Sequence, residues 1–185
     1  MSNKNFSIIV PYYNSNLEQT KCCLSSLILQ NFSLLKEIIV VNDGSNEKNK
    51  NNLINIVDDL NTHTHACTSI DRNDEIKKHN PLIRIIHQEN LGLAKARYTG
   101  VKNSTGDIIL FVDSDDWICD NKLLDKLNKY FEAYKNIEVI KYNYTTTFIN
   151  DAKQINMQKA KIKKCVIDIN WYLNKNRTKC PPVAV

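Results

Sequence analysis

Glycine and proline are scarce in this chain, with four of each among 185 residues. That scarcity excludes a collagen-like or linker-rich polypeptide. Long apolar runs are also missing: no stretch reaches the roughly 18 residues that a membrane-spanning helix needs. The first residues lack the apolar segment of a secretory signal peptide. No glycine-rich dinucleotide fingerprint or phosphate-binding P-loop follows the first apolar run, which argues against a nicotinamide dehydrogenase or an ATPase. A Gly-x-Ser-x-Gly elbow is absent, as is a Ser-His-Asp constellation. Six cysteines are present, at 22, 23, 67, 119, 165 and 180, but none form Cys-x-x-Cys. They read as reduced packing residues of a cytoplasmic protein.

Hydrophobic residues make up 42% of the chain, enough for one sizeable core. The net charge of +5 is mild, and its lysines are scattered. The densest basic cluster, Lys159 to Lys164, includes Ala160 and Ile162. It fits an amphipathic surface element or a peripheral contact with an anionic membrane face. No basic stripe is interleaved with stacking aromatics, so nucleic acid is not an expected partner.

The first two-thirds of the chain alternates strand and helix. Phe6 to Val10 reads as a strand ended by Pro11, and Ser15-Asn16-Leu17-Glu18 as a capping box opening a helix. Glu37 to Val41 is a second strand, followed by helical spacing through Leu53, Ile54, Val57 and Leu60. Ile83 to His87 and Ile108 to Val112 are further strands, separated by a helix from about Leu91 to Lys102. Asp120 or Asn121 caps a helix carrying Leu123, Leu124, Leu127, Phe131 and Tyr134. The polar segment 61–81 reads as a surface insertion loop. Its His63-Thr64-His65-Ala66-Cys67 lacks the fourth ligand of a structural zinc site. The repetition predicts an α/β, doubly wound, mostly parallel sheet with helices on both faces.

In such sheets, ligands bind beyond the carboxyl ends of the strands. Four polar groups follow the four strands: Pro11-Tyr12-Tyr13-Asn14, Asn42-Asp43-Gly44-Ser45, Gln88-Glu89-Asn90-Leu91-Gly92 and Asp113-Ser114-Asp115-Asp116. The sheet brings them to one rim. The last group places three carboxylates within four residues, whose repulsion a hard cation such as Mg²⁺ or Mn²⁺ would relieve. The same residues also read as a polar loop with Asp115 or Asp116 capping the next helix. Asp43 can accept from a base edge or ribose, or belong to an ordinary Asn-Asp-Gly turn. Arg97 can meet a phosphate, pair with an acid of the rim, or stand solvated on its helix.

The segments Ser7 to Asn14, Ile38 to Ser45, Asn90 to Arg97 and Phe111 to Trp117 resemble, in order and spacing, those of the family 2 glycosyltransferases. The resemblance covers about residues 6–135. It implies a GT-A fold, a nucleotide-diphosphate sugar donor and inversion at the anomeric carbon. By that resemblance Pro11, Tyr12, Tyr13 and Asn14 line the nucleotide pocket, Asp43 holds the base and Arg97 lies near the nucleotide. Asp113 and Asp115 form the Asp-x-Asp motif, with Ser114 between them. Asp113 lies toward the ribose and, with Asp115, toward a Mg²⁺ or Mn²⁺ ion. Tyr98 stands where many members carry Asn.

The whole chain reads as a single domain, 1–185, with a donor-binding half at about 6–135 and the start of an acceptor-side half at 136–185. Ile137 to Tyr142, Tyr144 to Ile149 and Lys164 to Ile169 look strand-like, and Asn170 to Lys175 helical. No acidic motif after residue 136 matches the family's general base; Asp151 and Asp168 are the only aspartates there. The apolar end after Pro181-Pro182 looks interrupted. The expected function is metal-assisted transfer of a sugar to a glycan or lipid-linked acceptor, in the cytoplasm or at the inner membrane face. The alternative is a nucleotide-sugar-binding fragment without turnover. A sugar-nucleotide pyrophosphorylase would need a glycine-rich basic loop after the first strand, where Pro11-Tyr12-Tyr13 stands.

Overall fold

The computed structural model describes residues 4–67, 82–134, 140 and 183–184. In chain order the elements are β1 (Phe6–Tyr12), α1 (Leu17–Ile28), β2 (Leu35–Asp43), α2 (Glu47–Cys67) and β3 (Ile83–Gln88). They continue with α3 (Leu93–Lys102), β4 (Ile108–Phe111), α4 (Leu123–Ala133) and β5 (Val183–Ala184). The strands stand in the order β3-β2-β1-β4-β5, and every pairing is parallel.

The order explains the layering. From β1 through β3 the chain steps outward in one direction, and α3 then carries it back past β1 to β4. Right-handed crossovers put a helix on the opposite face when that direction reverses. Accordingly, α1, α2 and α4 pack on one face, through Leu24, Leu27, Leu53, Val57, Leu124 and Leu127 against Ile8, Val10, Ile38 and Val40. The smaller core on the other face joins Ala96 of α3 to Ile9, Ile39, Val41 and Ile109. Gly100 lets α3 approach closely, because a Cβ there would come within 2.3 Å of the Ile9 side chain. The sheet is thus doubly wound with helices on both faces. Leu24 and Leu27 are fully buried, and truncating either to Ala is expected to cost about 2–5 kcal/mol.

Several boundaries differ from the sequence reading. Pro11 does not end β1, which runs to Tyr12. Pro11 shares the parity of Ile9, whose carbonyl accepts from Val112 N on the β4 side. Its missing N–H therefore faces the place where β4 has already ended at Phe111. The cap of α1 is Asn16 rather than Ser15: its Oδ1 accepts from Glu18 N at 2.9 Å and Gln19 N at 3.2 Å. Neither Asp120 nor Asn121 is the cap of α4; Lys122 holds that position, and Asp120 Oδ1 accepts from Lys122 N just before it.

Helix α2 continues to Cys67, so the expected loop begins with helix. The strand that alternating His63, His65 and Cys67 ligands would need does not form there. Residues 68–81 lie outside the described residues, as do the elements expected at 144–149, 164–169 and 170–175 and most of 137–142. Of that last segment Ile140 is described, and it packs into the larger core. β5 was not expected from the sequence; Val183 and Ala184 pair with Ile109 and Leu110. Among the described residues no helix is long and apolar enough to cross a membrane.

Candidate functional site

Because the strands are parallel, the loops after β1, β2, β3 and β4 share one rim. The direction of winding reverses between β1 and β4, the place where open α/β sheets open a crevice. The rim divides into residues that build it and residues that face outward.

Asp43 is a builder. It is 3% exposed. Oδ1 accepts from Gln88 Nε2 at 2.6 Å and Leu91 N at 2.9 Å, and Oδ2 from Gly92 N at 2.8 Å. Its carboxylate thus ties the end of β2 to the loop opening α3. Gly44, at φ 74°, lies so close to that loop that a Cβ would stand 2.5 Å from Asn90 N. Tyr12 is another builder. It belongs to the larger core at 1% exposure, and its hydroxyl donates to Asn49 O at 3.2 Å. Burial raises the pKa of that phenol. So buried a ring offers a ligand no surface, and Tyr12 backs the wall rather than lining it. Pro11 is likewise buried.

Tyr13 and Asn14 face outward. Tyr13 is 52% exposed. Asn14 takes a left-handed φ of 48°, which its short polar side chain tolerates. Its Oδ1 accepts from Asn46 N and Asn49 Nδ2, and its own N–H donates to Ser45 Oγ at 2.9 Å. This junction fastens the β1 loop to the start of α2.

The acidic loop is a tight turn. Asp116 N donates to Asp113 O at 3.0 Å, with Ser114 and Asp115 at its tip. Asp113 Oδ1 pairs with Arg97 Nη2 at 2.7 Å, and the side chains are 41% and 35% exposed. Arg97 also stands over the Phe111 ring, 5.7 Å from its centre, while its buried Nε has no hydrogen-bond partner. Ser114 is buried, and its hydroxyl meets that of Ser15 at 2.6 Å. Asp115 and Asp116 are exposed. Partial desolvation, then the charges of Asp115 and Asp113, hold the Asp116 carboxyl above the ordinary aspartate range. Beneath the turn lies Cys23, whose thiol donates to Asp113 O at 3.5 Å. Burial first, and then the carboxylates of Asp116, Asp115 and Asp113, push its pKa up and keep it protonated.

Four positions named from the sequence therefore organise the rim from within: Pro11, Tyr12, Asp43 and Ser114. Tyr13, Asn14 and Asp115 are exposed on the rim, and Arg97 and Asp113 are half-buried there. Sequence reasoning missed Ser15, Gln88 and Cys23. Gln88 stands in the expected rim without a role, and Ser15 reads as part of a capping box. Cys23 showed only as a residue of an apolar helical pattern.

The model of the glycosyl transferase family 2 matches residues 7–182. The chain belongs to this family. Among curated relatives, the family 2 chain is 36% identical over 136 residues to the glycosyltransferase GlyA of Streptococcus pneumoniae, covering 74% of this chain and 16% of that protein. It is 31% identical over 115 residues to the uncharacterised glycosyltransferase YibD of Escherichia coli, covering 62% of this chain and 27% of YibD. The chain thus spans about a sixth of the length of GlyA and about a quarter of YibD. A crystal structure of Staphylococcus aureus TarS 1–349 in complex with UDP aligns with a TM-score of 0.57 at 24% identity, over 77% of this chain and 36% of that one. At that identity the likeness establishes the fold, which is the GT-A fold of the nucleotide-diphospho-sugar transferases.

Proposed function

We propose that this family 2 chain carries the donor-binding part of a glycosyltransferase. It would take a sugar from a nucleoside diphosphate donor and pass it, with inversion, to a glycan or lipid-linked acceptor on the cytoplasmic side. The observation that carries this reading is the outward-facing set on one rim: Tyr13 after β1, Arg97 of α3 paired with Asp113 after β4, and Asp115 exposed at the turn tip. An exposed aromatic suits a base, a guanidinium suits phosphate oxygens, and open carboxylates suit a cation. TarS, a protein of the same fold, is solved in complex with UDP, which supports a nucleotide as the ligand class.

The donor set fits Mg²⁺ or Mn²⁺. It consists of oxygens alone: the Asp115 carboxylate and the Asp113 oxygen that Arg97 does not take. Among the described residues no three His, Cys, Asp or Glu side chains converge as a preformed cage. That matches Mg²⁺, which is usually held by one or two carboxylates together with substrate phosphates and water. Bound there, the ion would neutralise charge developing on the leaving diphosphate. Arg97 would orient the phosphates, and Tyr13 would exclude water beside the base.

The test is calorimetry of UDP with the chain, in Mn²⁺ and in excess chelator. We expect binding that depends on Mn²⁺ and is lost in Asp115→Ala. Equal affinity in both buffers would remove the metal from the mechanism. A donor-hydrolysis and transfer assay then asks whether a chain that binds also turns over.

A further inference from the structure

One hydrogen bond crosses the crevice at the point where the winding reverses, and it joins two residues without a ligand role. Ser15 Oγ, at the start of α1, meets Ser114 Oγ at 2.6 Å. Ser114 is the first tip residue of the turn closed by Asp116 N and Asp113 O, and Asp115 is the second. Among the described residues no side chain hydrogen-bonds to the Asp115 carboxylate. The direction in which that carboxylate projects therefore follows the orientation of the turn.

The rest of the loop is fastened to α1 from below. Cys23 Sγ donates to Asp113 O, Ile118 N donates to Ser26 Oγ at 3.0 Å, and Gln30 Nε2 donates to Asp120 O at 3.1 Å. Gln30 Oε1 also accepts from Leu124 N at 3.4 Å. These contacts hold the flanks, at 113 and from 118 onward. The tip has one side-chain anchor among the described residues, and that anchor is Ser15. Ser15 is free for the task because Asn16, not Ser15, caps α1.

We infer that Ser15 is a positioning residue, acting through Ser114 to aim Asp115 into the crevice before any ligand arrives. The inference rests on the donor-binding reading above. It makes α1, which carries no outward-facing site residue, the ruler against which the acidic loop is set. Losing one hydroxyl–hydroxyl bond of ~1 kcal/mol net corresponds to about a fivefold change in an equilibrium.

The experiment compares wild type, Ser15→Ala and Ser15→Thr, the last keeping the hydroxyl. Without ligand, amide exchange at Asp116 reports closure of the turn. We expect it to speed up about fivefold in Ser15→Ala and to return toward wild type in Ser15→Thr. With UDP, the affinity gained on adding Mn²⁺ should shrink about fivefold in Ser15→Ala, be rescued in Ser15→Thr, and leave the affinity in chelator unchanged. The inference is overturned by unchanged exchange at Asp116, by Ser15→Thr behaving like Ser15→Ala, or by equal losses with and without Mn²⁺, which mark a general structural role. If wild type binds no UDP in either buffer, the donor-binding reading falls instead. The exchange rates then still decide whether Ser15 anchors the turn.

Discussion

Among the described residues each rim of the sheet carries one arginine–carboxylate pair, and the two pairs are built differently. At the lower rim, where the strands begin, Glu37 of β2 meets Arg84 of β3. Arg84 Nε and Nη2 reach Glu37 Oε2 at 3.0 and 2.9 Å. The other oxygen accepts from Ser7 Oγ, Thr105 N and Thr105 Oγ1 at 2.9, 2.6 and 2.8 Å. Ser7 Oγ in turn accepts from Gly106 N, and Arg84 also donates to Asn103 O. The Glu37 side chain is 11% exposed. At the upper rim Arg97 and Asp113 share one contact, both side chains are more than a third exposed, and Arg97 Nε is unpartnered. Glu37, the carboxylate of the lower pair, is saturated by protein and joins β1, β2, β3 and the entrance to β4, while Arg84 is 36% exposed. The upper pair leaves bonding capacity unused on both partners. A closed pair holds a fold, and an open one leaves capacity for a ligand.

The sharpest way to break that comparison is Glu37→Ala. It strands Ser7, Thr105 and the Arg84 guanidinium together, and removing one member of a largely buried charge pair costs roughly 3–5 kcal/mol. Arg84 is partly exposed, so we expect about 3 kcal/mol in chemical denaturation, with the proposed nucleotide site at the far end of the strands keeping its affinity in the protein that remains folded. A loss under about 1 kcal/mol would mean that the lower rim is no more closed than the upper one.

Acid provides a gentler probe of the same pair. Burial alone would raise the Glu37 pKa, but hydrogen bonds from Thr105, Ser7 and Arg84 outweigh it and hold the carboxyl below the ordinary range. A carboxylate with a depressed folded pKa contributes stability that is fully present above its unfolded pKa, about 4.3, and lost as pH falls through the folded value. The stability advantage of wild type over Glu37→Gln should therefore be constant above pH ~5 and shrink as pH falls below ~4. An advantage that stays flat down to the acid transition would show that the lower pair gains nothing from its charge.

The two rims also differ in how much the sequence disclosed. The upper rim was legible as a place, because strand ends followed by polar residues mark the carboxyl edge of a parallel sheet whatever the register. Which residues face outward was not legible. β1 is buried on both faces, so Ser7 to Tyr12 shows no alternation that would assign Tyr12 to the core. The partners of Asp43 at Gln88, Leu91 and Gly92 lie 45 to 49 residues away and meet it only once β2 and β3 are in register. The lower rim was invisible for the same reason. Glu37, Arg84 and Thr105 belong to no motif, Ser7 opens the first motif segment without a polar role that the motif marks, and Glu37 reads as an ordinary first residue of a strand. Helix α2 shows the converse limit: its polar last turns carry no apolar periodicity, so its extension to Cys67 had no signal in the sequence.

The smallest expected change in stability comes from Arg97→Ala, and two opposing terms make it small. The variant loses an exposed ion pair, worth about 0–1 kcal/mol. It also removes a buried, unpartnered Nε donor, whose desolvation cost disappears with it. We therefore expect a net stability change within about 1 kcal/mol in either direction. Binding should respond far more, because the same substitution takes away the cation nearest Asp113 and leaves three carboxylates within four residues unbalanced. UDP affinity in Mn²⁺ should fall by at least about tenfold, or ~1.4 kcal/mol. Arg97→Lys should recover part of it, since a lysine keeps the charge without the planar donor pair. A variant that unfolds as readily as Glu37→Ala while still binding UDP would exchange the roles of the two rims: the upper pair would hold the fold, and the nucleotide would have to be sought away from it.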